Sequence, residues 1–249
     1  MAVFLTESAR LQGAALEIQV LKNEEATRQR LIECFHQHLG QAGPEDVALF
    51  YFCGHGAQEP APPEFWYLEP DRLNETLVCY GSRSSHSYDL ADRELAWLIA
   101  EIAGRGPHLV AILDACHAGS GTRAEALVGS QHAPPAERVR PLSSYLVQPE
   151  AFPALAPASR AIDEASNWSL LPKGKHVLLA VCRANEDARK YRLGHAMRGI
   201  FSYYLLDTLQ QAGPLPTYRD LFQRTCLLTS NRAGGQNLQI EPTDLALFE

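Results

Sequence analysis

The sequence predicts an α/β protein with a mostly parallel central sheet flanked by helices, and three observations carry that prediction. First, three short apolar runs, Val47 to Phe52, Leu109 to Leu113 and Val177 to Cys182, are too short for buried helices and rich in β-branched or aromatic residues. Such runs read as strands buried on both faces of a parallel sheet. Second, stretches with helical periodicity separate or follow them. Third, Phe52-Cys53-Gly54-His55-Gly56 and Leu113-Asp114-Ala115-Cys116-His117-Ala118-Gly119 stand directly after the first two runs. Parallel strands point the same way, so both motifs are expected at one carboxyl edge, where α/β folds bind ligands. A length of 249 residues suits one large domain.

Met1 to Glu7 reads as the end of a helix and Leu16 to Leu21 as a strand. Asn23 is of a capping type, with Glu24 and Glu25 well placed in the first turn of a helix running to about Gln41. Gly43 and Pro44 close that segment before the strand Val47 to Phe52. Ala57 to Asn74 reads as a polar, proline-rich loop carrying Phe65, Trp66 and Tyr67, and Thr76 to Tyr80 as a short strand. Asp89 to Ala103 is helical in pattern and is stopped by Gly104, Gly106 and Pro107. Arg123 to Pro172 is rich in Pro, Ala, Ser and Arg and lacks periodicity, which predicts a mobile linker. Two amphipathic helices, Arg198 to Gln211 and Thr217 to Ser230, follow the third strand, and Leu238 to Ile240 reads as a final edge strand.

The bulk numbers narrow the function. An apolar content of 46% supports a full core, and a net charge of −7 argues against a nucleic-acid partner, whose phosphates call for a basic face. Cys34, Cys53, Cys79, Cys116, Cys182 and Cys226 follow no disulfide rhythm. No charged-then-apolar leader opens the chain, and no apolar run approaches about 18 residues. These features predict a cytoplasmic protein with reduced thiols and no membrane partner. The sequence is silent on oligomeric state.

A cysteine attacks as the thiolate and needs a base or a positive dipole nearby. Cys116 follows a strand and stands close to Gly119 and Gly121, where a turn can present it, and His55 is flanked by Gly54 and Gly56. The imidazole of His55 is suited to take the thiol proton or give one to a leaving amine. The backbone N–H groups of Gly56 and Cys116 are candidates for binding an oxyanion. The side chain of His117 should diverge from that of its neighbour Cys116, which suits packing better than catalysis. A metal site from Cys53, His55, Cys116 and His117 fits no usual zinc spacing, so no metal is expected.

The residues resemble a family. Cys53-Gly54-His55-Gly56 resembles the S-G-H-G of the caspase-like superfamily, and Asp114-Ala115-Cys116-His117-Ala118-Gly119 resembles the D-S-C-H-S-G of its metacaspase branch, including the bacterial orthocaspases. The likeness runs from Val20-Leu21-Lys22-Asn23-Glu24-Glu25-Ala26-Thr27 to Gln236-Asn237-Leu238-Gln239, nearly the whole chain. It implies a three-layer caspase-like (caspase-hemoglobinase) fold forming one catalytic domain over residues 1–249. Within it, residues 1–122 would be a large-subunit-like portion, 123–172 a flexible linker and 173–249 a small-subunit-like portion. It implies a cysteine endopeptidase with His55 and Cys116 as dyad, acting on protein or peptide substrates after Arg or Lys. Asp114 matches the acidic residue of the S1 pocket, and a carboxylate there suits a guanidinium. Capping of the following helix, or bracing of the loop, remains the other reading of Asp114. Arg123, Arg138, Arg140 and Arg160 in the linker make self-cleavage there a natural expectation.

The match departs in three places. Cys53 replaces the serine before G-H-G, which removes a hydroxyl from the substrate pocket. Asp92 matches one of the adjacent aspartates that members activated by calcium use, but its neighbour is Ala91, and the later acidic position falls near Arg123. No cofactor is expected, with calcium left as an alternative that these departures weigh against. Met1 to Glu7 resembles the latter half of the family's first helix, so its opening strand and turn have no counterpart. Three explanations stay open: an earlier start, another filler of the gap, or a damaged relative. Two further functional readings stand beside the peptidase: a catalytically impaired caspase-fold module acting by binding or assembly, and another Cys-His acyl hydrolase or transferase. Arg183 to Asp187 and Tyr191 to His195 are expected to border a substrate groove, with Glu186 and Asp187 facing further basic residues or solvent.

Overall fold

In the computed structural model, the strand-like runs pair as their composition requires. The structure describes residues 1–67, 69, 71–84, 86–115, 136, 139–151, 176–180, 190–193, 196–211, 217–233 and 239–241, and for 190–193, 196–198, 232–233 and 239–241 only the backbone. Strands β1 (Val47–Cys53), β5 (His108–Asp114) and β6 (His176–Ala180) form a parallel sheet in the order β1-β5-β6, with β9 (Gln239–Glu241) antiparallel on β6. Register is set by burial on both faces. Ala48, Leu109, Ala111, Leu113, Leu178 and Ala180 point into a core shared with α2 (Arg28–Gln37) and α3 (Asp92–Ala103). Leu49, Tyr51, Val110, Ile112, Val177 and Leu179 point into a second core with α4 (Ile200–Gln211) and α5 (Tyr218–Ala233). The alternation is the period-2 geometry of a strand, and the continuous apolar runs reflect helices on both sides.

Differences from the sequence-based expectation have physical causes. The run Leu16 to Leu21 is not a strand: it has no regular secondary structure, Leu16, Ile18 and Val20 are exposed, and no strand pairs with it among the described residues. No strand pairs with the outer side of β1 either, among the described residues. The helix expected from Asn23 starts at Arg28 instead. Thr27 caps it, its Oγ1 accepting the Arg30 N–H at 3.2 Å, while Asn23 opens a separate short 3-10 turn at φ 50°. Helix α1 (Ala2–Gln12) extends past Glu7 to a left-handed Gly13 at φ 67°.

The polar stretch expected as loop contributes β2 (His55–Pro60) to an antiparallel hairpin with β3 (Leu73–Val78), which overlaps the short strand expected at Thr76 to Tyr80 and is extended by β4 (Leu90–Ala91). β2 and the start of β3 escape a hydrophobic-pattern search because most of their buried side chains are polar and bond each other. Gln58 Nε2 donates to Glu75 at 3.2 Å, and Asn74 Nδ2 donates to Glu59 at 3.1 Å. A separate hairpin, β7 (Lys190–Leu193) with β8 (Ala196–Gly199), leads into α4. Among the described residues no helix is long and apolar enough to cross a membrane.

Residues 139–151, inside the stretch expected as linker, lie docked on the polar hairpin and the start of α3. Arg140 is 1% exposed, its Nη1 donating to the Asp89 carbonyl at 2.8 Å and its Nη2 lying 2.7 Å from Glu94. Its guanidinium also lies 3.5 Å over the Tyr145 ring and 3.5 Å from Glu59. Arg28 joins the cluster by binding Glu94 and the Ser144 carbonyl. The rest of 123–172, apart from residue 136, falls outside the described residues.

Candidate active site

Strands β1 and β5 run in the same direction, with Val47 opposite His108 and Cys53 opposite Asp114. The two motif-bearing strands therefore end side by side. The Gly54 N–H donates to the Asp114 carbonyl at 3.2 Å, which carries the pairing one residue beyond the strand. Gly54 suits that position, since a Cβ there would stand 2.7 Å from the Phe52 ring. His55 follows at once as the first residue of β2, exposed, rather than in a free turn. Gly56 is buried next to it and sits opposite Leu77 of β3. Cys116, like His117, lies outside the described residues, as do Arg123, Arg138, Arg160, Glu186, Asp187 and His195.

Asp114 is 1% exposed at the end of β5. Its Oδ2 accepts the backbone N–H of Ser202 at 3.1 Å and the Ser202 hydroxyl, and lies 3.8 Å from the Cys53 sulfur. Ser202 Oγ in turn meets the Tyr51 hydroxyl at 2.6 Å. The carboxylate thus caps α4, the next α-helix after β5 among the described residues. Cys53, expected beside Asp114 in a substrate pocket, is exposed and next to it. Sequence reasoning missed Ser202 and Tyr51. The signal for Ser202 was a capping-type residue near a helix start, obscured by placing that start at Arg198. Tyr51 carried no signal, being one aromatic residue in an apolar strand.

A second charged cluster stands behind the hairpin. Glu69, Glu75 and Asp92 bring one carboxylate oxygen each within 4.8 Å of one another, all buried. Arg93 is threaded among them: its Nη2 lies 2.9 Å from Glu69, it bonds Asn74 Oδ1, and its guanidinium covers the Phe65 ring at 4.0 Å. Burial, with Asp92 beside it, pushes Glu69 up to about 10 against the pull of Arg93. Burial likewise pushes Asp92 up to about 6. One guanidinium balances one carboxylate, and burial leaves Glu69 holding its proton at neutral pH, so the cluster does not carry its full charge. In the neighbouring cluster burial works to raise Glu94, but Arg140 and Arg28 hold it below the ordinary carboxylate range.

Residues 2–124 match the family model described as metacaspase, peptidase C14 domain. Over 120 residues, 47% of this chain, the sequence is 30% identical to Metacaspase-1 of Candida albicans. That alignment spans 24% of the length of the Candida protein. The crystal structure of protein GSU0716 from Geobacter sulfurreducens superposes with a TM-score of 0.59 at 20% identity, covering 96% of this chain and 81% of that one. That likeness is one of fold alone.

Proposed function

Through its residues 2–124 this chain belongs to the metacaspase peptidase C14 family, and we propose that it is a cysteine endopeptidase whose His55 and Cys116 form the catalytic dyad. The observation that carries the reading is the parallel register of β1 and β5, which sets Cys53 opposite Asp114. His55 and Cys116 each stand two residues past that matched pair in sequence. In the proposed mechanism His55 takes the thiol proton and the Cys116 sulfur attacks the scissile carbonyl. The oxyanion formed is met by the backbone N–H groups of Gly56 and Cys116. His55 then protonates the leaving amine, and water attacks the thioester to release the acid and restore the thiol.

The same reading takes the whole of 1–249 as one three-layer caspase-like domain, with a large-subunit-like portion at 1–122, a linker at 123–172 and a small-subunit-like portion at 173–249. Helices on both faces of the β1-β5-β6 sheet support it. Substrates are peptides with Arg or Lys at P1, selected by Asp114 with Cys53 beside it. Self-cleavage in the linker belongs to the proposal at Arg123, Arg138 or Arg160; the burial of Arg140 argues against that site. A cytoplasmic setting accords with Cys34, Cys53, Cys79 and Cys226 being thiols. The proposal includes no calcium, because the guanidinium of Arg93 already stands among Glu69, Glu75 and Asp92, the one group of three close enough to share an ion among the described residues.

One observation favours the second reading, a caspase-fold module acting by binding: Asp114 is buried and engaged by α4. Fluorogenic peptides with Arg, Lys or Asp at P1 decide between the two. Turnover of the Arg and Lys peptides that falls at least about a thousandfold in Cys116→Ala and in His55→Ala supports the peptidase. Absence of any Cys116-dependent turnover leaves the binding module.

A further inference from the structure

The anion at the end of β5 is held from the other half of the chain. Asp114 and Tyr51 lie within residues 2–124, whereas Ser202 lies outside them, as the third residue of α4. Amides in the first turn of a helix have no intrahelical acceptor, and the positive end of the helix dipole favours a negative group there. An ionised carboxylate only accepts, so the Ser202 hydroxyl donates to Asp114 Oδ2. The 2.6 Å contact between Ser202 and Tyr51 is then a donation by the phenol. Burial pushes the Tyr51 phenol up, which keeps it a donor. The result is a chain of donors, Tyr51 to Ser202 to Asp114, that joins β1, α4 and β5.

A carboxylate that is 1% exposed has lost most of the water that would support its charge. A neutral acid at that place would hold a uncharged side chain nearly as well as a guanidinium. We infer that Ser202 is a positioning residue for substrate selection: backed by Tyr51, it keeps the Asp114 carboxylate charged and aimed, and so sets the preference for a guanidinium at P1. This rests on the peptidase reading above, with Asp114 as its P1 anion.

The test compares peptides carrying arginine or its uncharged isostere citrulline at P1, on full-length wild type, Ser202→Ala, Ser202→Thr and Tyr51→Phe. In Ser202→Ala the preference for arginine over citrulline should fall by roughly tenfold, the size expected for one lost hydrogen bond to a charged group. The loss should appear in KM for the arginine peptide, with citrulline turnover unchanged. Ser202→Thr, which keeps the hydroxyl, should restore the preference, and Tyr51→Phe should fall between. An unchanged preference in Ser202→Ala overturns the role of Ser202 while leaving the peptidase intact. Equal slowing of both peptides also overturns it, since that marks a general loss of structure. Wild type without Cys116-dependent turnover removes the peptidase reading and this inference together. Wild-type turnover without an arginine preference removes Asp114 as the P1 anion, and Ser202 with it.

Discussion

Arg140 shows how much one side chain decides in this protein. It enters a region that is aperiodic and proline-rich, yet its guanidinium sits between Glu94, Glu59, the Asp89 carbonyl and the Tyr145 ring. A buried ion pair contributes little net stability relative to an apolar substitute, but removing one partner leaves the other charge buried and uncompensated. Arg140→Gln should therefore destabilise the fold by about 3–5 kcal/mol, read as a fall in the urea midpoint. A loss under 1 kcal/mol would show that Arg28 alone suffices for Glu94. The same burial makes a second measurement informative. Limited digestion of the native protein with trypsin should yield no cut after Arg140, and an early fragment ending there would contradict the docked arrangement.

At the scale of elements, the polar hairpin β2–β3 and the start of α3 behave unlike the central sheet. Three buried carboxylates, Glu69, Glu75 and Asp92, share the charge of Arg93. With Glu69 raised to about 10, the folded state keeps a proton that the unfolded chain releases near the ordinary carboxylate value of 4.5. Between those values the folded state binds more protons, so stability falls as pH rises, by up to about 1.4 kcal/mol per pH unit for one group. Glu69→Gln cannot release that proton, and its urea stability should decline less than that of wild type from pH 5 to pH 9. Parallel profiles would mean that Glu69 is ionised in the fold. Since Arg93 supplies the cation in this cluster, added calcium or a chelator should leave the melting temperature unchanged. A rise of several degrees on adding millimolar calcium would count against that assignment.

At the scale of the molecule, the half that matches the family model does not close its own core. Leu49, Tyr51, Val110 and Ile112 of β1 and β5 meet Phe201, Leu205, Tyr218 and Phe222 of α4 and α5. A fragment ending at residue 124 would expose that face and lose β6, the neighbour of β5. It should show no cooperative thermal transition and should bind a dye for exposed apolar surface, whereas the full chain should unfold in one transition. Cooperative melting of the fragment would show that α4 and α5 are an addition to the fold. The Ser202 contact to Asp114 crosses the same boundary, so stability and the proposed substrate preference depend on one junction.

The sequence by itself determined the central sheet, because a strand covered on both faces must be apolar throughout, and the runs at Val47, Leu109 and Val177 are. It also pointed to the Cys53-Gly54-His55-Gly56 and Asp114 motifs standing at one edge of a parallel sheet, since local pattern and strand direction suffice for that; that the two strands are neighbours was decided by the tertiary structure. Only the tertiary structure decided the rest. β2 and its pairing with β3 were hidden because the buried residues bond one another, which no hydrophobic period records, although the strand expected at Thr76 to Tyr80 overlaps β3. The strand expected at Leu16 to Leu21 does not form: pairing needs a neighbour as well as a pattern, and none pairs with it among the described residues. Arg140 and Ser202 acquire their partners, Glu94 and Asp114, across long chain separations, and such contacts are a property of packing that no local window contains.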